Sequence, residues 1–168
     1  MVTDENGNIY SFGRFTDTLT IGMLNVVSAG YFDMYLVKMD AQLQPSWLMR
    51  LGGAFDDGAG DISYYNGKLY VTGWYAGQFT IGSDTFFFDA TYNQYPGMMA
   101  VVDTNGVVID TKSFQTANSI SGYATSIAVT DSGVVIGGAM KGEMNFGNGV
   151  TIQSYMTGTE TDIFIAKM

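Results

Sequence analysis

The feature that most constrains this chain is that it repeats itself. GNIYSFGRFTDTLTIG at 7–22 returns as GKLYVTGWYAGQFTIG at 67–82, and GVVIGGAMKGEMNFG at 133–147 is a looser third copy. Gly13, Gly73 and Gly138 anchor the three copies, and the same two steps carry Gly22 to Gly82 to Gly147. A chain written this way is assembled from one supersecondary unit used several times, so the repeat has to be explained before any single motif.

Other segments recur in the same order. DMYLVKM at 33–39 matches DIFIAKM at 162–168, pairing Asp33 with Asp162 and Lys38 with Lys167, while the middle version, GMMAVVD at 97–103, keeps only the apolar run. DISYYN at 61–66 matches TSIAVTD at 125–131. Each unit reads as four strands: ISYY or SIAV, then KLYVTGWY, then MYLVKM or IFIAKM, then SWLMRL or VIDTKSF. These are short, β-branched and aromatic, and Asn-Gly or Asp-x-x-Gly turns separate them. Apolar residues nowhere keep a helical rhythm.

An all-β fold follows, made of repeated four-stranded antiparallel units stacked face to face. That pattern is the signature of a β-propeller, with a β-sandwich as the alternative. The units divide as 1–66, 67–132 and 133–168, about three incomplete blades of one domain. Runs such as LVKM and MMAVV are apolar at nearly every position, which suits a sheet covered on both faces.

The order GNIYSFG or GKLYVTG, then a Gly-bounded FTIG, DMYLVKMD, SWLMRLGG and a polar Asp/Gly loop resembles a β-propeller repeat family. That family, of the seven-bladed type, is common in bacterial extracellular and cell-surface proteins, including many from Bacteroidetes. The resemblance implies the propeller fold and an extracellular or cell-surface location, with a signal peptide outside these residues. It carries no shared catalytic motif. The middle unit departs from the pattern, with Asp110 in place of Trp47 and Gln115-Thr116 in place of Gly52-Gly53.

Both ends of the chain cut through a unit, so the expectation is a fragment of a longer propeller, a ring completed by neighbouring chains, or an open stack. Exposed blade faces and strand edges favour self-association.

Composition excludes several chemistries. With no Cys and no His, thiol nucleophiles, His-dependent triads and His- or Cys-ligated zinc are ruled out within the chain. Sixteen acidic residues against seven basic give a net charge of −9, which disfavours nucleic acid. No apolar run is long enough for a membrane-spanning helix, so no membrane insertion is expected.

The remaining candidates are few. Asp56, Asp57 and Asp61 on the Gly-rich loop 52–61 either form a solvated connection or hold a hard cation such as Ca²⁺. The DENG and DTNG segments read as hairpin turns rather than calcium loops. Asp56, Asp57 and Glu143 are the acidic residues a propeller hydrolase would draw on. Arg14, Trp74 and Tyr75 stand where the repeats differ most, and Tyr92 and Tyr95 lie in the TYNQYPG insertion of the second unit. Aromatics at such positions either pack between blades or form a contact surface for a protein or carbohydrate. The expected function is a non-enzymatic recognition or scaffold module without a cofactor. The alternatives are a hydrolase fragment using acidic residues and an assembly module completed by neighbouring chains.

Overall fold

A computed structural model describes residues 1–88, 95–115, 119–147, 149–155 and 161–168. Among these residues every regular element is a strand: β1 (Val2–Thr3), β2 (Ile9–Phe15), β3 (Thr18–Ile21), β4 (Leu24–Val27), β5 (Asp33–Met39), β6 (Pro45–Gly53), β7 (Gly58–Tyr65) and β8 (Lys68–Trp74). The series continues with β9 (Gln78–Ile81), β10 (Asp84–Phe87), β11 (Gly97–Asp103), β12 (Val108–Ser113), β13 (Ser119–Thr130), β14 (Gly133–Gly147), β15 (Val150–Gln153) and β16 (Asp162–Lys167). All pairings are antiparallel.

Three main sheets and a separate two-stranded sheet, β3-β4, result among the described residues. The first has the order β1-β2-β5-β6, the second β7-β8-β11-β12 and the third β13-β14-β16. The sheets and the sequence units are offset by one strand: β7 precedes residue 67 yet pairs with β8, and β13 precedes residue 133 yet pairs with β14. Each unit also contains a hairpin that a four-strand reading does not anticipate. It is β3-β4 in the first unit, β9-β10 in the second, and the end of β14 with β15 in the third. Gly22 and Gly82, both at φ 59°, make the equivalent turns of the first two hairpins, which explains why the FTIG motif ends on glycine. The β9-β10 hairpin joins the last strand of the preceding sheet, with Gly52 opposite Thr80 and Gly53 opposite Phe79.

Strand register relates the units residue by residue. Gly13 lies opposite Tyr35, Gly73 opposite Met98, and Gly138 opposite Phe164. One residue along, Phe12 faces Leu36, Thr72 faces Met99 and Gly137 faces Ile165. Each sheet therefore has two corresponding faces. The leading face carries Leu36, Met99 or Ile165, and the trailing face carries Tyr35, Met98 or Phe164.

The cores follow from this alternation. Leu36, Leu51 and Met34 of the first sheet pack with Leu69, Val71, Met98, Ala100 and Val102 of the second. Met99 and Val101 turn the other way and pack with Ala124, Ile127, Ile136, Phe164 and Ala166 of the third. β11 is thus buried on both faces, which is why its sequence is an unbroken apolar run. Each fully buried side chain of this size contributes about 1.5–3 kcal/mol.

Turn chemistry accounts for the recurring acidic residues at the strand ends. Asp4 Oδ1 accepts the N–H groups of Asn6 and Asn8, Asp40 Oδ1 those of Gln42 and Gln44, and Asp103 Oδ1 those of Asn105 and Val107. Backbone N–H donation, led by Val107, holds Asp103 below the usual carboxylate range. Burial pushes Asp4 the other way, but bonds from Asn8, Tyr10 and Asn6 prevail and keep it low. The DENG and DTNG segments are hairpin turns. Asp33 and Asp162, matched by sequence, play one part in two units, since their carboxylates accept the N–H of Ala29 and Tyr155 and so close the return from the inserted hairpin.

Candidate functional site

Strand direction sorts the loops to two ends of the stack. The short turns at 4–7, 40–44, 66–67, 103–106 and 131–133 lie at one end. Arg14 and Trp74, at the position where the repeats differ most, lie at the other end, where β2 and β8 finish, and Ala139 holds the equivalent rung of β14, which runs on to Gly147. The loop that links the first sheet to the second lies at that end too.

There Trp74, half-buried, meets Tyr95 edge to face with ring centroids 4.8 Å apart and Tyr123 at 5.8 Å, and the two tyrosines lie 6.0 Å apart. The trio straddles the seam between the second and third sheets. Gly58 makes room for it, since a Cβ there would stand 2.1 Å from the indole. Burial pushes the Tyr123 hydroxyl's pKa up. All three residues are partly exposed. Tyr95, from the TYNQYPG segment of the second unit, lies against Trp74, and Tyr92 lies outside the described residues. Tyr123 is a member that sequence reasoning misses. It sits in β13 just before a bulge between Ala124 and Ser126 that re-aims the strand, and no motif announces it.

The other aromatic candidate is corrected. Tyr75 has no exposed surface: it packs on Phe79 and Phe86, and its hydroxyl meets Ser113 Oγ at 2.7 Å and donates to Gln115 Oε1 at 3.1 Å. Burial lifts its pKa to about 12. It is a core residue that ties β8 to the far edge of its own sheet, with nothing left to offer a ligand. Arg14 is exposed, and its guanidinium lies over the Phe32 ring at 4.5 Å, in the first unit rather than beside Trp74.

The acidic candidates do not converge. Asp57 is fully buried, and its two oxygens accept the N–H groups of Ala76 and Gly53. Burial raises its pKa to about 8, against those two donors and with the help of nearby Asp33 and Asp56. Asp56 accepts from Phe32 N–H at 3.3 Å. Asp61 points to the opposite seam, where it accepts the Ile127 N–H at 3.1 Å. Glu143 stands in β14, opposite Gln153. Among the described residues no group of three or more acidic side chains is arranged to hold a metal ion. Asp33, fully buried, pairs with Arg50 at 2.9 Å.

Other polar aromatics clasp the sheets together. Trp47 Nε1 and Lys38 Nζ both donate to the Thr104 carbonyl in the turn of the next sheet, at 3.2 and 3.1 Å. Tyr64 reaches back to Glu5, and Tyr65 reaches forward to Asp131. Opposite Val101, where Lys38 faces Trp47 in the first sheet, stands Asp110. A groove of about 370 Å³ remains along that second seam, lined by Tyr70, Met99, Ile109, Lys112, Val134 and Met168. A larger groove of about 470 Å³ opens among Phe86, Lys112, Gln115, Asn145 and Phe146. It mixes an aromatic floor with amide and ammonium groups, and it comes from three separate strands and a loop, so no contiguous motif reveals it.

No family model matches the chain, and no match to it was found among curated proteins.

Proposed function

We propose that the chain is a run of β-propeller blades acting as a non-enzymatic recognition or scaffold module, with a protein or glycan as ligand and a place outside the cell or on its surface. The blade reading draws support from the register, which relates three stacked antiparallel sheets residue by residue. The location rests on the resemblance alone.

The observation that carries the recognition reading is the half-exposed Trp74–Tyr95–Tyr123 cluster at the variable end of the stack. In an edge-to-face pair one ring's face receives the other's edge, and the partly exposed remainder of the three residues is what could meet sugar C–H groups or apolar side chains. A hydrolase reading would call for two carboxylates facing each other across a cleft. Here Asp57 is sealed in and both its oxygens are engaged by backbone N–H groups.

The test is a glycan and peptide array, followed by titration of the hits against the wild type, Trp74→Ala and Lys112→Ala. Loss of binding in Trp74→Ala supports the aromatic site, and loss in Lys112→Ala alone moves the site to the 470 Å³ groove. Turnover of any arrayed glycan, abolished by Asp57→Asn, would overturn the non-enzymatic reading.

A further inference from the structure

The two seams between the main sheets share one register but are filled differently. In the first seam Lys38 and Trp47 stand opposite one another on the leading face of the first sheet, and both donate to the Thr104 carbonyl in the turn of the second. The indole lies against Gly106, where a Cβ would come 3.3 Å from the ring, and near Tyr10, with ring centroids 6.2 Å apart. At the equivalent rung of the second sheet the pair is Val101 and Asp110. A bicyclic ring and a long ammonium chain are replaced there by an isopropyl group and a short carboxylate, and the groove of about 370 Å³ stands in their place.

Residues that line this groove are counterparts of residues sealed in the first seam. Tyr10, Leu69 and Val102 have no exposed surface, whereas Tyr70, Val134 and Met168, at the same rungs, are each partly exposed. Met99 and Val101, 3% and 6% exposed, close the floor, and Ile109, 49% exposed, forms a wall. Three charged side chains complete the lining: Lys68, Lys112 and Asp110, none of them in a salt bridge with a described residue. Asp110 Oδ1 accepts the N–H of Thr111, which leaves Oδ2 without a partner among the described residues.

We infer that this groove binds a free planar bicyclic aromatic acid of the indole-carboxylate class. The first seam supplies the template, because the same space there holds an indole whose ring N–H finds an oxygen acceptor. In the second seam the ring covers Met99 and Val101 beside Tyr70, and its N–H finds an acceptor in Asp110. The acid group meets Lys68 and Lys112, two of only seven basic residues in a chain of net charge −9. The volume falls within the range of about 300–1,000 Å³ usual for small-molecule sites. The groove lies at the short-turn end of the stack, away from the Trp74 cluster, so the inference stands on strand register and is independent of the recognition reading.

The experiment is an amide NMR titration of the intact chain with indole-3-acetate, and with indole as the uncharged control. Saturable shifts centred on Tyr70, Met99 and Val134 are expected, with a Kd for indole-3-acetate of about 1 mM or tighter. Asp110→Trp changes an exposed side chain to the residue that fills the first seam, and it should weaken binding of both probes at least about tenfold. Lys68→Ala should weaken indole-3-acetate about two- to fivefold and leave indole unchanged; Lys68 is chosen because Lys112 also borders the 470 Å³ groove. Trp74→Ala should bind both probes as wild type does, whatever it does to ligands found on the array. The proposal is overturned by absence of shifts at about 5 mM probe, by shifts centred elsewhere, by wild-type affinity in a folded Asp110→Trp, by equal losses for both probes in Lys68→Ala, or by loss in Trp74→Ala. Circular dichroism checks the fold of each variant, and if Asp110→Trp fails to fold, Lys68→Ala and the shift map decide.

Discussion

Replacing each anchor glycine by alanine should give three different answers, although the sequence presents them as the same residue. None of Gly13, Gly73 and Gly138 has a positive φ, so backbone freedom is not the issue and space alone decides. A Cβ on Gly73 would stand 2.3 Å from the Gly58 carbonyl oxygen and 3.2 Å from the Met34 sulfur. A Cβ on Gly138 would stand 1.9 Å from the Tyr123 carbonyl oxygen. Carbon–oxygen contacts settle at about 3.3–3.6 Å, so the neighbouring strand would have to retreat by about 1 Å or more. On Gly13 the nearest atoms belong to the half-buried Tyr35 ring, at 2.8 Å. β1 pairs only at Val2 and Thr3, so no strand carbonyl lies opposite Gly13, and the ring can turn aside. Overpacking against backbone costs about 1–3 kcal/mol and occasionally more. Exchanging a strand glycine for alanine returns about 0.5–1 kcal/mol. With the upper end of that cost less the strand gain, Gly73→Ala and Gly138→Ala should therefore lose about 2–2.5 kcal/mol, or about 4–10 °C in Tm for a chain of this size, while Gly13→Ala stays within about 1 kcal/mol of wild type. Urea unfolding of the three variants side by side is the assay. Equal losses at all three positions, or a neutral Gly73→Ala, would refute the packing argument.

Three further outcomes are expected. Leu43 is 60% exposed and sits at φ 61° in the 40–44 turn, where the corresponding turns have Gly7 and Gly106, so Leu43→Gly should stabilise by about 0.5–1 kcal/mol; a drop in the urea midpoint would contradict this. Tyr10→Phe strips Asp4 of a buried donor at 3.0 Å and should cost about 1–2 kcal/mol by the same assay, with Asn6→Ala much milder because Asp4 takes only the backbone N–H of Asn6. Asp57, raised to about 8, favours its protonated form in the fold, so its contribution to stability is complete below about pH 4 and is lost as pH rises through 8. Unfolding free energy should fall between about pH 5 and 8, a window in which the depressed Asp4 and Asp103 stay ionised, and Asp57→Asn should flatten that slope; parallel slopes for the two proteins would count against it.

The repeat, the all-β class, the order of the four main strands and the turn residues were legible in the chain because they are local. Alternation, Asn-Gly pairs and Asp at the head of a turn act within a few residues, and the match of Asp33 with Asp162 proved to be one structural device used twice. The departure of Asp110 from Trp47 was legible as well, and the ladder places the two at the same rung. The inserted hairpins were not, because a strand's sequence does not say which neighbour it will pair with; the bounds at 66/67 and 132/133 cut between paired strands that the four-strand reading itself groups together. Nor could sequence separate Trp74 from Tyr75. They are adjacent aromatics at the end of β8, the last residue of the strand and the one after it, and their side chains part, one to a half-buried seam and the other into the core. Most of all, Leu36, Met99 and Ile165 look alike as letters. Whether such a residue is buried depends on a sheet contributed by distant chain, so only the tertiary structure distinguished a filled seam from an open one.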